Sequence, residues 1–293
     1  MHPFLLIFFL YPIITLSQVN SFDRGVALFD AERYQSAIPH FETHLKENPD
    51  DLQAIEYLGD IAAYASDWDK AIDYYKMLVE KNPNNANYNF KYGGVLGRKA
   101  QSTNRFRAAM LISDIKKHLE KAAELDPNHK EVRWALVDLY SLLPSFIGGS
   151  ETTASKYANQ LLEISELEGN IALANIAEHF KKPHLAEKHF KIALKIYGNS
   201  FKIHPQNSIN YHLGKISGEY NIQLQNGLKY LDAYIKNHTI RDSIELKWAY
   251  LRKAQIYRHL GDKNQAQNWI AKALASNEDF KEAHLEKEQI SRL

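Results

Sequence analysis

Small and large apolar residues along this chain fall into a register that repeats every 34 positions. Setting Gly25 above Gly59 brings Tyr34 onto Trp68, Ala37 onto Ala71, Phe41 onto Tyr75 and Leu45 onto Val79. The same shift brings Asn48-Pro49 onto Asn82-Pro83. A fixed period of this length marks a stacked-repeat architecture, in which each supersecondary unit buries its apolar face only against its neighbours. Acidic residues such as Asp50-Asp51 stand in the turns between units, where they can accept from the free N–H groups of the next helix.

With these residue types at this period, the chain resembles the tetratricopeptide repeat (TPR) family, over nearly all of its length. The family packs two antiparallel helices, A and B, in each repeat, with small residues at positions 8, 20 and 27 where they approach. With Gly25 at position 8, that position reads Gly25, Gly59, Gly93, Val137, Ala174, Gly214 and Ala254. Position 20 reads Ala37, Ala71, Ile115, Ala154, Ala186, a slipped Gly227 and Ala266. The resemblance implies an all-α, right-handed α-solenoid of about seven helix pairs, with repeats near 18–51, 52–85, 86–129, 130–166, 167–206, 207–246 and 247–279. Residues 280–293 read as a charged capping helix, which a solenoid needs to cover its last stacking face.

Repeats three to six depart from the period, and in three of them the departure can be placed. Repeat three holds about ten extra residues, expected around the polar turn Gln101–Arg105. In repeat four the A–B turn is Leu143–Ser150, where Pro144 stops helix A, Gly148 and Gly149 permit positive φ, and Ser150 caps helix B. This Pro-x-x-x-Gly-Gly-Ser turn is similar to that of a subset of exported bacterial TPR proteins. Repeat six carries one extra residue between Gln223 and Gly227.

Composition narrows the function. Lys and Arg number 36 against 35 Asp and Glu, a balance without the basic excess of a nucleic-acid binder. The chain has no cysteine, which removes disulfides, thiol nucleophiles and cysteine-ligated metals together. Residues 3–16 are uncharged, too short and too interrupted by Pro12 to span a bilayer, and they end in Thr15-Leu16-Ser17-Gln18. Small residues two apart are what signal peptidase requires, so residues 1–17 read as a signal peptide. The expectation is a periplasmic or extracellular protein with no membrane span after cleavage; an uncleaved N-terminal anchor is the alternative.

No catalytic, cofactor or metal site is read from the sequence. Tyr92–Gly97 has glycines but no Gly-Lys-Ser after them, and Gly148-Gly149-Ser150 is a capped turn rather than a nucleophile elbow. His40 and His44 share a helix face without a further ligand pattern, and His179, His184 and His189 surround one A–B turn. What the resemblance implies instead is a groove lined by helix A at positions 2, 5, 9, 12 and 13, holding a protein or an extended peptide.

The candidate groove residues are Tyr64, Phe90, Arg98, Trp134, Asp138, Asn175, Tyr211, Lys215, Trp248 and Arg258. At position 5, Phe90, Trp134, Ile171, Tyr211 and Leu251 would form an apolar stripe, with Trp134 its central anchor. No lysine occurs at position 5, so the carboxylate clamp by which some TPR proteins hold a C-terminal tail is argued against. The function expected is a non-catalytic scaffold or adaptor. Its rival is a hydrolase or glycan-active enzyme, with Asp138 and Glu178 as paired carboxylates on aligned helices.

Overall fold

The structure, a computed structural model, describes residues 20–196 and 201–293. The proposed signal, residues 1–17, lies outside them. Among the described residues the chain is all-α, an array of fifteen α-helices and one 3-10 turn with no strand. No helix among them is long and apolar enough to cross a membrane. Contacts divide the chain into two compact units, with the boundary in the sequence between Glu80 and Lys81, at the last residue of the helix Trp68–Lys81.

The first unit holds α1 (Ser21–Asp30), α2 (Tyr34–Glu47), α3 (Leu52–Tyr64) and α4 (Trp68–Lys81). The small residues are what let α1 meet α2 and α3 meet α4. A Cβ on Gly25 would lie 2.7 Å from the Phe41 ring, and one on Gly59 would lie 2.5 Å from the Tyr75 ring. Phe41, Ala37 and Ala71 are sealed from solvent, and Phe41 stacks on Tyr57 of α3 at 4.8 Å. Asp51 caps α3 by accepting from the N–H groups of Gln53 and Ala54, and His44 of α2 bonds its other oxygen at 2.7 Å. Those bonds outweigh partial burial and hold the Asp51 carboxyl below its usual range.

The second unit stacks five helix pairs and a cap. The pairs are α5 (Ala86–Gln101) with α6 (Arg105–Leu125), α7 (Lys130–Leu142) with α8 (Glu151–Ile164), α9 (Glu166–His179) with α10 (Pro183–Ile196), α11 (Asn207–Tyr220) with α12 (Leu224–Lys236), and α13 (Leu246–His259) with α14 (Lys263–Ser276). The cap, α15 (Lys281–Ser291), packs on α13 and α14. The extra residues of repeat three lengthen helices rather than a turn. The loop is only Ser102–Asn104, and α6 runs 21 residues from its Asn104 cap. Arg, Ala, Met and Leu dominate Arg105–Leu111 and are strong helix formers, so the insertion continues the helix.

The repeat-four turn also differs from expectation. Gly148 takes φ +92°, but Gly149 does not enter the left-handed region. Its glycine is demanded by proximity, because a Cβ there would fall 1.7 Å from the Leu143 carbonyl oxygen. Lys116 of α6 donates to the Ile147 and Gly148 carbonyls, and Ser150 caps α8.

Position 4 of helix A carries a device that the period does not reveal. In repeats three to six Asn89, Arg133, Asn170 and Asn210 occupy it and are all buried. Asn89 donates to the Pro83 and Asn85 carbonyls and Asn210 to that of His204. Arg133 donates to the carbonyls of Ala123 and Asp126 at the end of α6 and to that of His129, which precedes α7. Two of the asparagines meet a helix-B histidine at the same distance, His118 on Asn89 and His189 on Asn170, each 2.9 Å. Burial lowers the pKa of both histidines, so the neutral ring makes these bonds.

Candidate functional site

Helix A of repeats four, five and six supplies the site. Asp138 on α7, Asn175 on α9 and Lys215 on α11 hold the same repeat position, and they line one cavity of about 370 Å³. Ser141 and Leu142 close its α7 side, Glu178 and His179 its α9 side. Asp138 and Ser141 share a face because they are three residues apart on a helix.

These groups differ sharply in how they are satisfied. Lys215 lies between Glu178, at 2.9 Å, and Glu219, at 3.4 Å. Burial alone would lower the Lys215 pKa, but Glu219 and Glu178 raise it above the usual value, so the ammonium stays charged. The second Glu178 oxygen accepts from the Tyr220 hydroxyl at 2.7 Å, and Arg252 of α13 reaches Glu219 at 2.7 Å. Asp138, by contrast, has no hydrogen-bond or ionic partner. More than a third of its surface is open, yet it stands in a protein-lined recess, and desolvation there pushes its carboxyl up to about 6. The Asn175 Oδ1 and Ser141 Oγ atoms are buried with no partner. Asp138 and Glu178 thus do line one cavity, as a carboxylate pair would require, but both Glu178 oxygens are engaged and Asp138 alone is open.

The remaining groove candidates are placed otherwise. The position-5 stripe is not an exposed surface. Tyr211 is 5% exposed and packs on Tyr234, while Ile171 and Leu251 are buried, because stacking of successive pairs covers that face of helix A. Trp134 is half-buried: its indole N–H donates to Glu168 at 2.9 Å and its ring stacks on His212 of α11 at 5.6 Å. Glu168 is itself buried and is paired also with Lys130 at 2.6 Å. Burial holds His212 neutral, with a pKa of about 3. Phe90 lies against His129, and Trp248 against Phe280 and Arg252. Arg258 is bound to Glu286 of the cap at 2.5 Å, and Arg98 is exposed near the end of α5. Tyr64, in the first unit, packs on Phe29 and Tyr34. Ser141 escapes sequence reasoning because a small hydroxyl at a groove position resembles any exposed helix serine until its burial is seen.

Comparison with known proteins fits this geometry. Tetratricopeptide repeat profiles match residues 22–86 and 249–280. No curated protein matches the chain. Among solved structures it is similar to a tetratricopeptide repeat protein from Parabacteroides merdae, with 10% identity over 92% of this chain and 97% of that one and a TM-score of 0.59. It is also similar to the MamA protein, with 17% identity over 63% of this chain and 96% of that one and a TM-score of 0.51. The fold is one that typically serves protein or peptide binding and is generally non-catalytic. Two matched segments at opposite ends of the chain, joined by helix pairs built on the same small-residue register, make this chain a member of the tetratricopeptide repeat family.

Proposed function

We propose that the recess between α7, α9 and α11 binds an extended segment of a protein partner, and that the chain is an adaptor in the exported space. The observation that carries this reading is the set of unpartnered polar groups in the recess: an open carboxylate, a buried amide oxygen and a buried hydroxyl. Native proteins pair buried polar groups almost without exception, so the Asn175 Oδ1 and Ser141 Oγ atoms, beside an open carboxylate, are set for an external partner. The engaged state of Glu178 favours binding over glycan cleavage. Export is supported by the uncharged 3–16 run, the Thr15–Ser17 spacing and the absence of cysteine.

The test fills the recess from its rim. Leu142 is 63% exposed and His179 is exposed, so Leu142→Trp with His179→Trp adds bulk without touching the core. The parent and this variant are each used to capture partners after export, with helical circular dichroism as the check on folding. A partner lost from the blocked variant supports the groove. A partner captured equally by both places binding on another surface.

A further inference from the structure

The chemistry of the recess specifies more than a peptide backbone. Asp138 brings a charge with no internal counter-ion. Asn175 offers a buried Oδ1 that accepts from nothing, and Ser141, 8% exposed, offers a hydroxyl that bonds to nothing. All three can accept hydrogen bonds, and the carboxylate can only accept when ionised. The cation already present, Lys215, is bracketed by Glu178 and Glu219 and does not serve Asp138. An anionic ligand would meet an uncompensated carboxylate. A bare metal ion would find one free carboxylate, Asp138, because Lys215 and Tyr220 already hold both oxygens of Glu178.

We propose that this recess receives a basic side chain of the partner, arginine or lysine, with Asp138 as its counter-ion and Asn175 and Ser141 accepting further N–H bonds. The inference rests on the groove reading above. It makes the site the charge-inverse of a carboxylate clamp. An arginine fork presents five donors in a plane and would engage groups on two helices together, whereas a lysine presents three at a point.

The purified protein is titrated with acetyl-Gly-Arg-Gly-amide, its lysine counterpart, and its citrulline counterpart, which keeps the shape of arginine without the charge. Binding is read from the Asn175 side-chain amide by NMR. The expected result is a saturable shift with one or both basic probes and binding of citrulline weaker by about tenfold or more. The arginine and lysine arms show which cation the recess prefers. Asp138→Asn should weaken the basic probe about tenfold with unchanged circular dichroism, and Ser141→Ala about threefold. Equal binding of citrulline, an unaffected Asp138→Asn variant, shifts confined to other parts of the protein, or no saturable shift with either basic probe overturns the proposal. The two readings fail separately. If the blocked Leu142→Trp/His179→Trp variant loses its partner while Asp138→Asn keeps it in full, the cation site is wrong and the groove stands. If the blocked variant keeps its partner, the groove itself is wrong.

Discussion

Four helix-A termini end on a left-handed residue at the same repeat position: Glu32, Ser66, Lys181 and Gly261, with φ of 57°, 58°, 57° and 76°. Each end closes by paired backbone bonds, as where Asp67 N–H reaches Ala62 and Ser66 N–H reaches Ala63. Only Gly261 takes this conformation without a Cβ penalty. Glu32→Gly, Ser66→Gly and Lys181→Gly should therefore each stabilise the protein by about 0.5–1 kcal/mol, and Gly261→Ser should cost a similar amount. Urea unfolding checks this, and a loss of stability in all three glycine variants would contradict it. Asp138 also makes stability depend on pH. Its folded pKa, about 6, lies above the ordinary carboxylate value, so the native state binds the proton more tightly. Stability from this group is complete below about pH 4 and is lost as pH rises through about 6. Glu178 and His179 from α9 and Lys215 from α11 line the same recess, and Asp138→Asn leaves them in place. That variant should melt higher than the parent at pH 7.5 and equally at pH 4. The difference should be less than about 1 kcal/mol, because Asp138 is substantially open to solvent. A lower melting temperature at pH 7.5 would show that the ionised carboxylate is compensated in the native protein.

At the scale of the element, the same small-residue rule that makes the helix pairs leaves little room for error. Gly59 of α3 faces Tyr75 of α4, whose hydroxyl is tied to Asp60 at 2.6 Å, so the ring cannot swing aside without breaking that bond. Gly59→Ala should cost about 1–3 kcal/mol by overpacking, despite alanine's better helix propensity. Trp134 shows how an element's outer face is turned to stacking. Its indole bridges α7 to buried Glu168 of α9 and to the His212 ring of α11. Trp134→Ala should destabilise the protein by about 2–4 kcal/mol, through lost packing and one lost donor to a buried carboxylate. Trp134→Phe should recover the stacking but not the hydrogen bond, and so fall between. If Trp134→Ala melts as the parent does, the indole is a surface group after all. Repeat three carries its insertion as helix. A 34-residue period locates the surplus but not its conformation; the propensity of Arg105–Leu111 and the Asn104 cap decide that it lengthens α6.

For the whole molecule, the fold was legible because its signal is repeated. Small residues at position 8 recur often enough that drift at Val137 or Ala174 does not hide the register. The site was legible only in part. Asp138, Asn175 and Lys215 follow from their shared repeat position, and the structure brings them to one recess. What separates them is partner state, with Lys215 bracketed and Asp138 alone, and that depends on which helix-A residues of neighbouring repeats approach one another. Aromatic residues at position 5 misled for the opposite reason, since their spacing fits a groove face and a stacking face equally, and Tyr211 is buried. The first described helix begins at Ser21 and is capped by the Asn20 side chain, which accepts from the Asp23 N–H at 2.7 Å. Cleavage after Ser17 would leave that cap, and every described contact, in place. N-terminal sequencing of exported protein should therefore read from Gln18, and the cleaved protein should unfold as one transition series with the fully helical spectrum. Replacing Ser17 with a bulky residue should block processing, because the peptidase requires a small side chain there. Recovery of intact Met1 on membrane-bound protein, with Ser17 unchanged, would instead show that the uncharged segment is retained as an anchor.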